Sequence, residues 1–512
     1  MASTEDNAIA SADHPTLPQP QTAEALCEQG NALMKRNRFE EAIGAYRLAL
    51  INRPRYFEAQ VNIGAALQGV GRLEEARAAY EAALAIRPDF PEALNNLATV
   101  LRPQKRTEEA IAACRRALSL RPAYPAAFNN LGMALQDNGQ YDPAIAAFRE
   151  ALNLLPGRME YLNNLAVAVK DAGRPDDAIG ILREALALHP DSPQTHWNLG
   201  ISLLLAGDME KGWPEYERRW DVPGLQEARR HTSLPTWDGR ELHGKRIVIW
   251  SEQGLGDTIQ FVRYADLAAG RGGRVVLQVQ PELKQLLQGL PTVEALVTTD
   301  DPTPEADVQC PLLNLPLTLR TTLATIPATI PYLTADPRRV EQWRVRVGTD
   351  AHQLKVGLAW AGRPTHANDR NRSMPLAALA PLSQVPGARF FSLQKGKAAE
   401  PATAPPAGLP LTDWTHELTD LADTAAFISN LDLIVTVDTS IAHLAGALGT
   451  RTWLLLPFAP DWRWMLGRSD SPRYPTMRLF RQPRFGDWAS VVEDVLTATQ
   501  QRPAARLCDS QT

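Results

Sequence analysis

The sequence predicts an all-α repeat array followed by two α/β lobes, and three observations predict it. From Ala23 the chain repeats every 34 residues without a slip in register. From Arg246 the grammar changes to short β-branched strands alternating with helices, the signature of parallel βαβ units. Late in the chain, Ile434–Gly449 (IVTVDTSIAHLAGALG) runs a buried strand straight into a capped helix, a corner that aims free backbone N–H groups at one point and suits an anion.

A chain of 512 residues is too long for one core, so several domains are expected. Hydrophobic residues at 44% and charged residues at 22% fit an ordinary globular protein. A net charge of −5 with no dense Lys/Arg block argues against nucleic-acid binding. Cys27, Cys114, Cys310 and Cys508 lie far apart, with no metal-ligand spacing, which fits a reducing compartment. The start of the chain is acidic and carries no signal-peptide pattern, and no apolar run reaches membrane-spanning length. A cytoplasmic location is expected. The predicted divisions are a flexible arm over 1–22, the repeat array over 23–220, a connector over 221–243, a first lobe over 244–335, an interlobe helix over 336–352, a second lobe over 353–500 and a tail over 501–512.

Within the array, small residues recur as Gly30, Gly64, Ala98, Gly132, Ala166 and Gly200, and alanines as Ala42 to Ala178 and Ala49 to Ala185. Tyr46, Tyr80, Cys114, Phe148 and Leu182 stand between those alanines, and Pro54, Pro88, Pro122, Pro156 and Pro190 close the units. Small residues let two helices approach, a larger side chain fills the gap, and proline ends the second helix. Spacing and pattern resemble the tetratricopeptide repeat (TPR) family: five full units and a degenerate sixth, in which Gly212 and Arg219 replace the expected alanines. An asparagine column, Asn62, Asn96, Asn130, Asn164 and Asn198, runs through the first helices. The resemblance puts those helices on the concave face, where an amide offers a donor and an acceptor to an extended acceptor peptide, as in the TPR arm of O-GlcNAc transferase. A plain polar stripe is the competing reading.

In the first lobe Arg246–Ser251 and Val275–Val279 read as strands, Cys310–Leu313 as a further one, and Thr258–Ala269 and Glu282–Leu287 as helices. Arg338–Val347 reads as a bridging helix. In the second lobe Lys355–Trp360, Arg389–Leu393, Leu433–Val437 and Thr452–Leu456 read as strands, and Asp420–Asn430 and Ile441–Leu448 as helices. A last helix over about Asp487–Thr497 is expected to cross back to the first lobe. Two Rossmann-like halves in tandem imply a cleft between them, the architecture of GT-B glycosyltransferases.

Gly254-Leu255-Gly256-Asp257 follows the first strand, and its glycines permit a tight turn. Together with DTSIAHLAGALG it resembles the ADP-heptose:lipopolysaccharide heptosyltransferases and their family 9 relatives. The resemblance implies that Asp257 is the base and that Asp438, Thr439 and His443 lie at the phosphates of a nucleotide-sugar donor; Ser440 stands where that family usually carries glycine. It implies no bound metal and no cofactor beyond the nucleotide-sugar substrate, so cations must come from side chains. Arg370, Arg372 and Lys395, each after a second-lobe strand, are the candidates. Pro457–Trp464 (PFAPDWRW) reads as a wedge between lobes sooner than as a nucleobase platform. The overall plan resembles bacterial TPR enzymes that glycosylate flagellin. The expectation is a glycosyltransferase acting on a Ser/Thr hydroxyl of a protein recruited by the repeats. The alternatives are an inactive adaptor, or an enzyme with a glycan or lipid-linked acceptor.

Overall fold

Each repeat solves the same packing problem with a matched pair of side chains. Where the first helix carries glycine, the second supplies an aromatic ring: Gly30 with Tyr46, Gly64 with Tyr80, Gly132 with Phe148. A Cβ at Gly64 or Gly132 would stand 2.7 Å from the partner ring. Where the first helix carries alanine, the partner shrinks, and Cys114 and Leu182 take the slots opposite Ala98 and Ala166. All these larger residues are buried. Gly132→Ala alone should therefore destabilise the repeats by about 1–3 kcal/mol through overpacking. Adding Phe148→Cys, which rebuilds the Ala98–Cys114 pair, should cost less than the two single changes summed, as read by denaturant unfolding.

The computed structural model describes residues 22–350, 352–366 and 368–501. The greater part of the expected arm and tail, and Cys508, lie outside the described residues. The chain divides into two compact units, and the division falls within the repeat array, after Pro156. The first holds four helix pairs: Ala23–Met34 with Phe39–Asn52, Phe57–Gly69 with Leu73–Ile86, Pro91–Leu101 with Thr107–Leu120, and Pro125–Asp137 with Tyr141–Leu154. The second opens with two more, Met159–Asp171 with Pro175–Leu188 and Pro193–Ala206 with Met209–Glu217.

In the second unit the last repeat merges into the first lobe. Leu204, Met209, Trp213 and Tyr216 share one core with Ile247, Ile249, Phe261 and Leu313. Arg219, standing in an alanine slot of the repeat, is buried and donates to Glu252 Oε1 at 2.7 Å, to Asn314 Oδ1 and to Glu217 Oε2 at 3.3 Å. The expected connector is only partly one. Its second half folds on the first lobe, where Trp237 N–H donates to Gln309 O at 2.9 Å and the Trp237 and Leu242 side chains are buried.

The first lobe is a four-stranded parallel sheet of β1 (Arg246–Trp250), β2 (Arg274–Val279), β3 (Val293–Thr298) and β4 (Val308–Pro311), in the order 3-2-1-4. The helix expected over Thr258–Ala269 is broken into Leu255–Phe261, a 3₁₀ turn and Ala265–Ala269. The second lobe is a six-stranded parallel sheet of β5 (Leu354–Ala359), β6 (Ala388–Ser392), β7 (Leu411–Thr412), β8 (Leu433–Val437), β9 (Thr452–Leu456) and β10 (Met477–Arg481). Its order, 10-9-8-5-6-7, is that of the doubly wound dinucleotide fold read from the other edge. The strand direction of winding reverses between β5 and β8, and ligands of such sheets sit outside the carboxyl ends of the strands at that point.

Two helices differ from expectation. Pro337–Val347 packs on the second lobe, with Trp343 4.8 Å from Phe427 and Arg339 paired to Asp420 and Asp423. The last helix, Trp488–Gln500, does not cross back. Its Val491, Val492 and Val495 join the core of the second-lobe sheet with Leu354, Val356 and Leu433. No described helix is long and apolar enough to cross a membrane.

Candidate functional site

The β5/β8 switch point opens into a cleft of about 950 Å³ whose other wall is the turn after β1. Gly254, Gly256 and Asp257 line it from the first lobe. Asp438, Thr439, Ser440 and His443, with Arg372 and Lys395, line it from the second. Arg370 is exposed and is not part of this wall. It lies two residues from Arg372 in the short helix Asp369–Arg372, and residues two apart on a helix face different ways.

The corner after β8 is built by Thr439. Its Oγ1 accepts from Ile441 N–H at 3.2 Å and caps the helix Ser440–Ala447, so the cap does not use the Asp438 carboxylate. Ala442 N–H donates to Thr439 O at 3.1 Å, so Thr439 takes two of the first N–H groups and the helix dipole is what the terminus turns to the cleft. Arg372 spans the switch point and donates from Nη1 to Asp438 O at 3.1 Å. Gln394 braces the opposite loop, accepting from Trp360 and Ala361 N–H at 3.0 and 2.8 Å. Lys395 Nζ donates to Leu418 O. Burial pushes the Asp438 carboxyl up from the usual range and nearby Asp461 adds to this, while Arg372 opposes it.

His443 is a neutral ring. Burial, with Arg463 nearby, pushes its imidazole down to about 3, so it supplies no positive charge to a phosphate at neutral pH. It stacks on Trp464 with centroids 5.3 Å apart and shares a 3.0 Å hydrogen bond with Tyr474 OH. A Cβ at Gly256 would stand 2.7 Å from His443 Cδ2. The second glycine of GLGD thus lets the first lobe close on the histidine.

Asp257 is held from both lobes. Its Oδ2 accepts from Gly254 N–H at 3.0 Å, closing the turn, and its Oδ1 pairs with Arg463 Nη2 at 2.5 Å. Arg463 is the residue that sequence reasoning missed. Its side chain is 8% exposed, lines the cleft, lies over Trp462 at 4.3 Å and pairs with Asp461 at 2.9 Å. The Asp461–Arg463 pair was legible in PDWRW; the reach to Asp257, 206 residues away, was not. Trp462 and Trp464 are buried at 4% and 1%, so neither offers a face to a base. Trp462 meets Trp213 of the last repeat edge-on at 5.3 Å, so this contact joins the segment to the repeats, where the expectation was a wedge between lobes.

The asparagine column is partly spent on the repeats themselves. Asn62 Nδ2 donates to Asn31 Oδ1 at 2.8 Å, Asn130 Nδ2 to Asn95 Oδ1 at 2.8 Å and Asn198 Nδ2 to Asn163 Oδ1 at 2.9 Å. Asn130 is buried at 7% exposure, which leaves it the least accessible of the column; Asn62, Asn96, Asn164 and Asn198 are partly exposed. Among the described residues no group of three or more His, Cys, Asp or Glu is arranged to hold a metal.

Tetratricopeptide repeat models match residues 89–157, and 6–57, 129–193 and 166–224; a further TPR model matches 70–102. The model for glycosyltransferase family 9 (heptosyltransferase) matches residues 417–455, which contain the corner after β8. The chain is 30% identical over 327 residues to Protein FlbA of Caulobacter vibrioides, covering 59% of this chain and 54% of that protein. It thus spans about half the length of this curated relative. Similar solved structures include MamA (23% identity, 33% of this chain, 92% of that chain, TM-score 0.31), the TPR protein YrrB (24%, 34%, 89%, 0.30) and the type IV pilus biogenesis factor PilW (20%, 41%, 95%, 0.37). The chain joins tetratricopeptide repeats to a glycosyltransferase-like module, with the family 9 match falling on the second lobe.

Proposed function

We propose that the cleft transfers a sugar from a nucleotide-sugar donor to a hydroxyl of a protein acceptor recruited by the repeats. The observation that carries this reading is the meeting of Asp257 and the Asp438–Ser440 corner in one cleft at the carboxyl edges of both sheets. The donor diphosphate lies at the N-terminus of Ser440–Ala447, whose dipole favours negative charge, with Arg372 and Lys395 as the side-chain cations. The acceptor oxygen attacks the anomeric carbon as the bond from that carbon to the phosphate oxygen breaks. The bonding pair leaves with the diphosphate, and the acceptor proton goes to Asp257. One displacement inverts the anomeric centre.

Thermal shift with nucleoside diphosphates and nucleotide sugars tests the donor site. A ligand at a hundred times its dissociation constant stabilises the folded state by about 2.7 kcal/mol, so the matching nucleotide should raise the melting point of the second unit. No shift with any of them would overturn the reading. A second reading, a binding adaptor without transfer, is favoured by the engagement of both Asp257 oxygens with N–H donors. It expects nucleotide binding with no sugar moved to any co-purified protein.

A further inference from the structure

Arg463 has more hydrogen-bonding capacity than the protein satisfies. Its Nη1 serves Asp461 and its Nη2 serves Asp257, while Nε is buried with no partner. The guanidinium is fixed from the second lobe by Asp461, which also accepts from Arg463 N–H at 2.9 Å, and by the Trp462 ring beneath it. The Asp257 carboxylate is fixed from the first lobe by the Gly254 N–H. Their pair is a bond between lobes in the lining of the cleft. It covers one of the two oxygens that an acceptor hydroxyl would need, and it occupies a cation in the wall where a diphosphate would bind. Both line the cleft that holds the Thr439–Ser440 helix terminus.

We propose that Arg463 is a shared positioning residue: it pairs with Asp257 and is handed to the donor diphosphate on binding, which uncovers the Asp257 oxygen for the acceptor proton. This rests on the donor-site reading above. A guanidinium suits the exchange because its fork meets carboxylate and phosphate oxygens with the same geometry. The hand-over balances: one charge-assisted contact to Asp257 is replaced by one to a phosphate oxygen, and no proton moves until the acceptor arrives. Its consequence is order. Asp257 is covered until a donor is present, so the acceptor is deprotonated only beside a sugar it can attack.

The test uses the full chain and isothermal titration with ADP, UDP, GDP and CDP. If the wild type binds none of them, the donor-site reading falls and this inference with it. With a binding nucleotide in hand, Asp257→Asn should bind it roughly tenfold more tightly, since the competitor for Arg463 is weakened; tenfold is the scale of one partly buried charge interaction. Glu282→Gln removes one negative charge from the same cleft and serves as the control for general charge effects. An equal gain in that variant, or unchanged or weaker binding by Asp257→Asn, overturns the hand-over while leaving the donor site standing. In an Arg463→Lys background the gain from Asp257→Asn should shrink, which a double-mutant cycle reads directly. Should Arg463→Lys fail to fold, the comparison of Asp257→Asn with Glu282→Gln still decides.

Discussion

Asp257→Asn should abolish sugar transfer, lowering the turnover rate by about 10²- to 10⁴-fold, the usual contribution of a positioned general base. The amide is nearly isosteric, and its oxygen can still accept from Arg463 Nη2, so the far-ultraviolet circular dichroism and the melting profile should stay close to wild type. Its NH₂ group faces the Gly254 N–H, a donor against a donor, which loosens the turn without unfolding it. The informative result is the split between two readouts: transfer lost, nucleotide affinity kept or raised. Full activity in this variant would remove Asp257 from the chemistry and leave it a structural bond between lobes.

The second large effect lies away from the cleft. Arg219→Met should destabilise the second unit by about 3–5 kcal/mol at pH 8, because it strips the counter-ion from Glu252, whose side chain is 1% exposed. The cost should depend on pH. In the wild type, burial outweighs the pairing with Arg219 and pushes the Glu252 carboxyl up to about 7. A carboxyl raised on folding binds its proton more tightly in the folded state, so this group's contribution to stability falls as pH rises from its unfolded value toward 7. Without Arg219 the folded value rises further. Below about pH 6 the side chain is then neutral, and much of the penalty disappears. Urea unfolding of wild type and variant at pH 6 and pH 8 checks the sign: the gap between them must widen with pH. A gap independent of pH would mean that the loss is one of packing.

How much of this was legible in the sequence follows the range of each interaction. The repeats are readable because the contacts that define each unit are local: Gly132 and Phe148 are 16 positions apart in one 34-residue unit, and the same spacing recurs along the chain. Strands buried on both faces, such as Leu433–Val437, show as short runs without charge, rich in β-branched residues. β3 and β10 were missed because VEALVT and MRLFR mix charge into the run, and β7 because it is two residues long. The corner after β8 is local and was read. The Arg463–Asp257 pair joins two loops of different lobes, and no periodicity or motif records such a contact. The motif around His443 suggests a phosphate ligand because it says nothing about burial; Trp464 and Tyr474, which pack on the ring, come from later in the chain. In the sequence Arg219 is a lapse in a repeating alanine, and only the fold shows that the lapse is the contact with the first lobe.

That contact bears on what can fold alone. The periodicity ends near Trp220, yet Trp213, Tyr216 and Trp220 are buried against residues of both lobes, Trp213 against Phe261 and Trp462, and Trp220 against Trp250. A chain begun at Asp221 would expose that aromatic seat on the lobes, along with an unpaired Glu252, as a contiguous apolar patch of the kind that drives association. The smallest self-sufficient piece containing the cleft therefore starts upstream of Pro193, and the last repeat is as much a wall of the lobes as a member of the array.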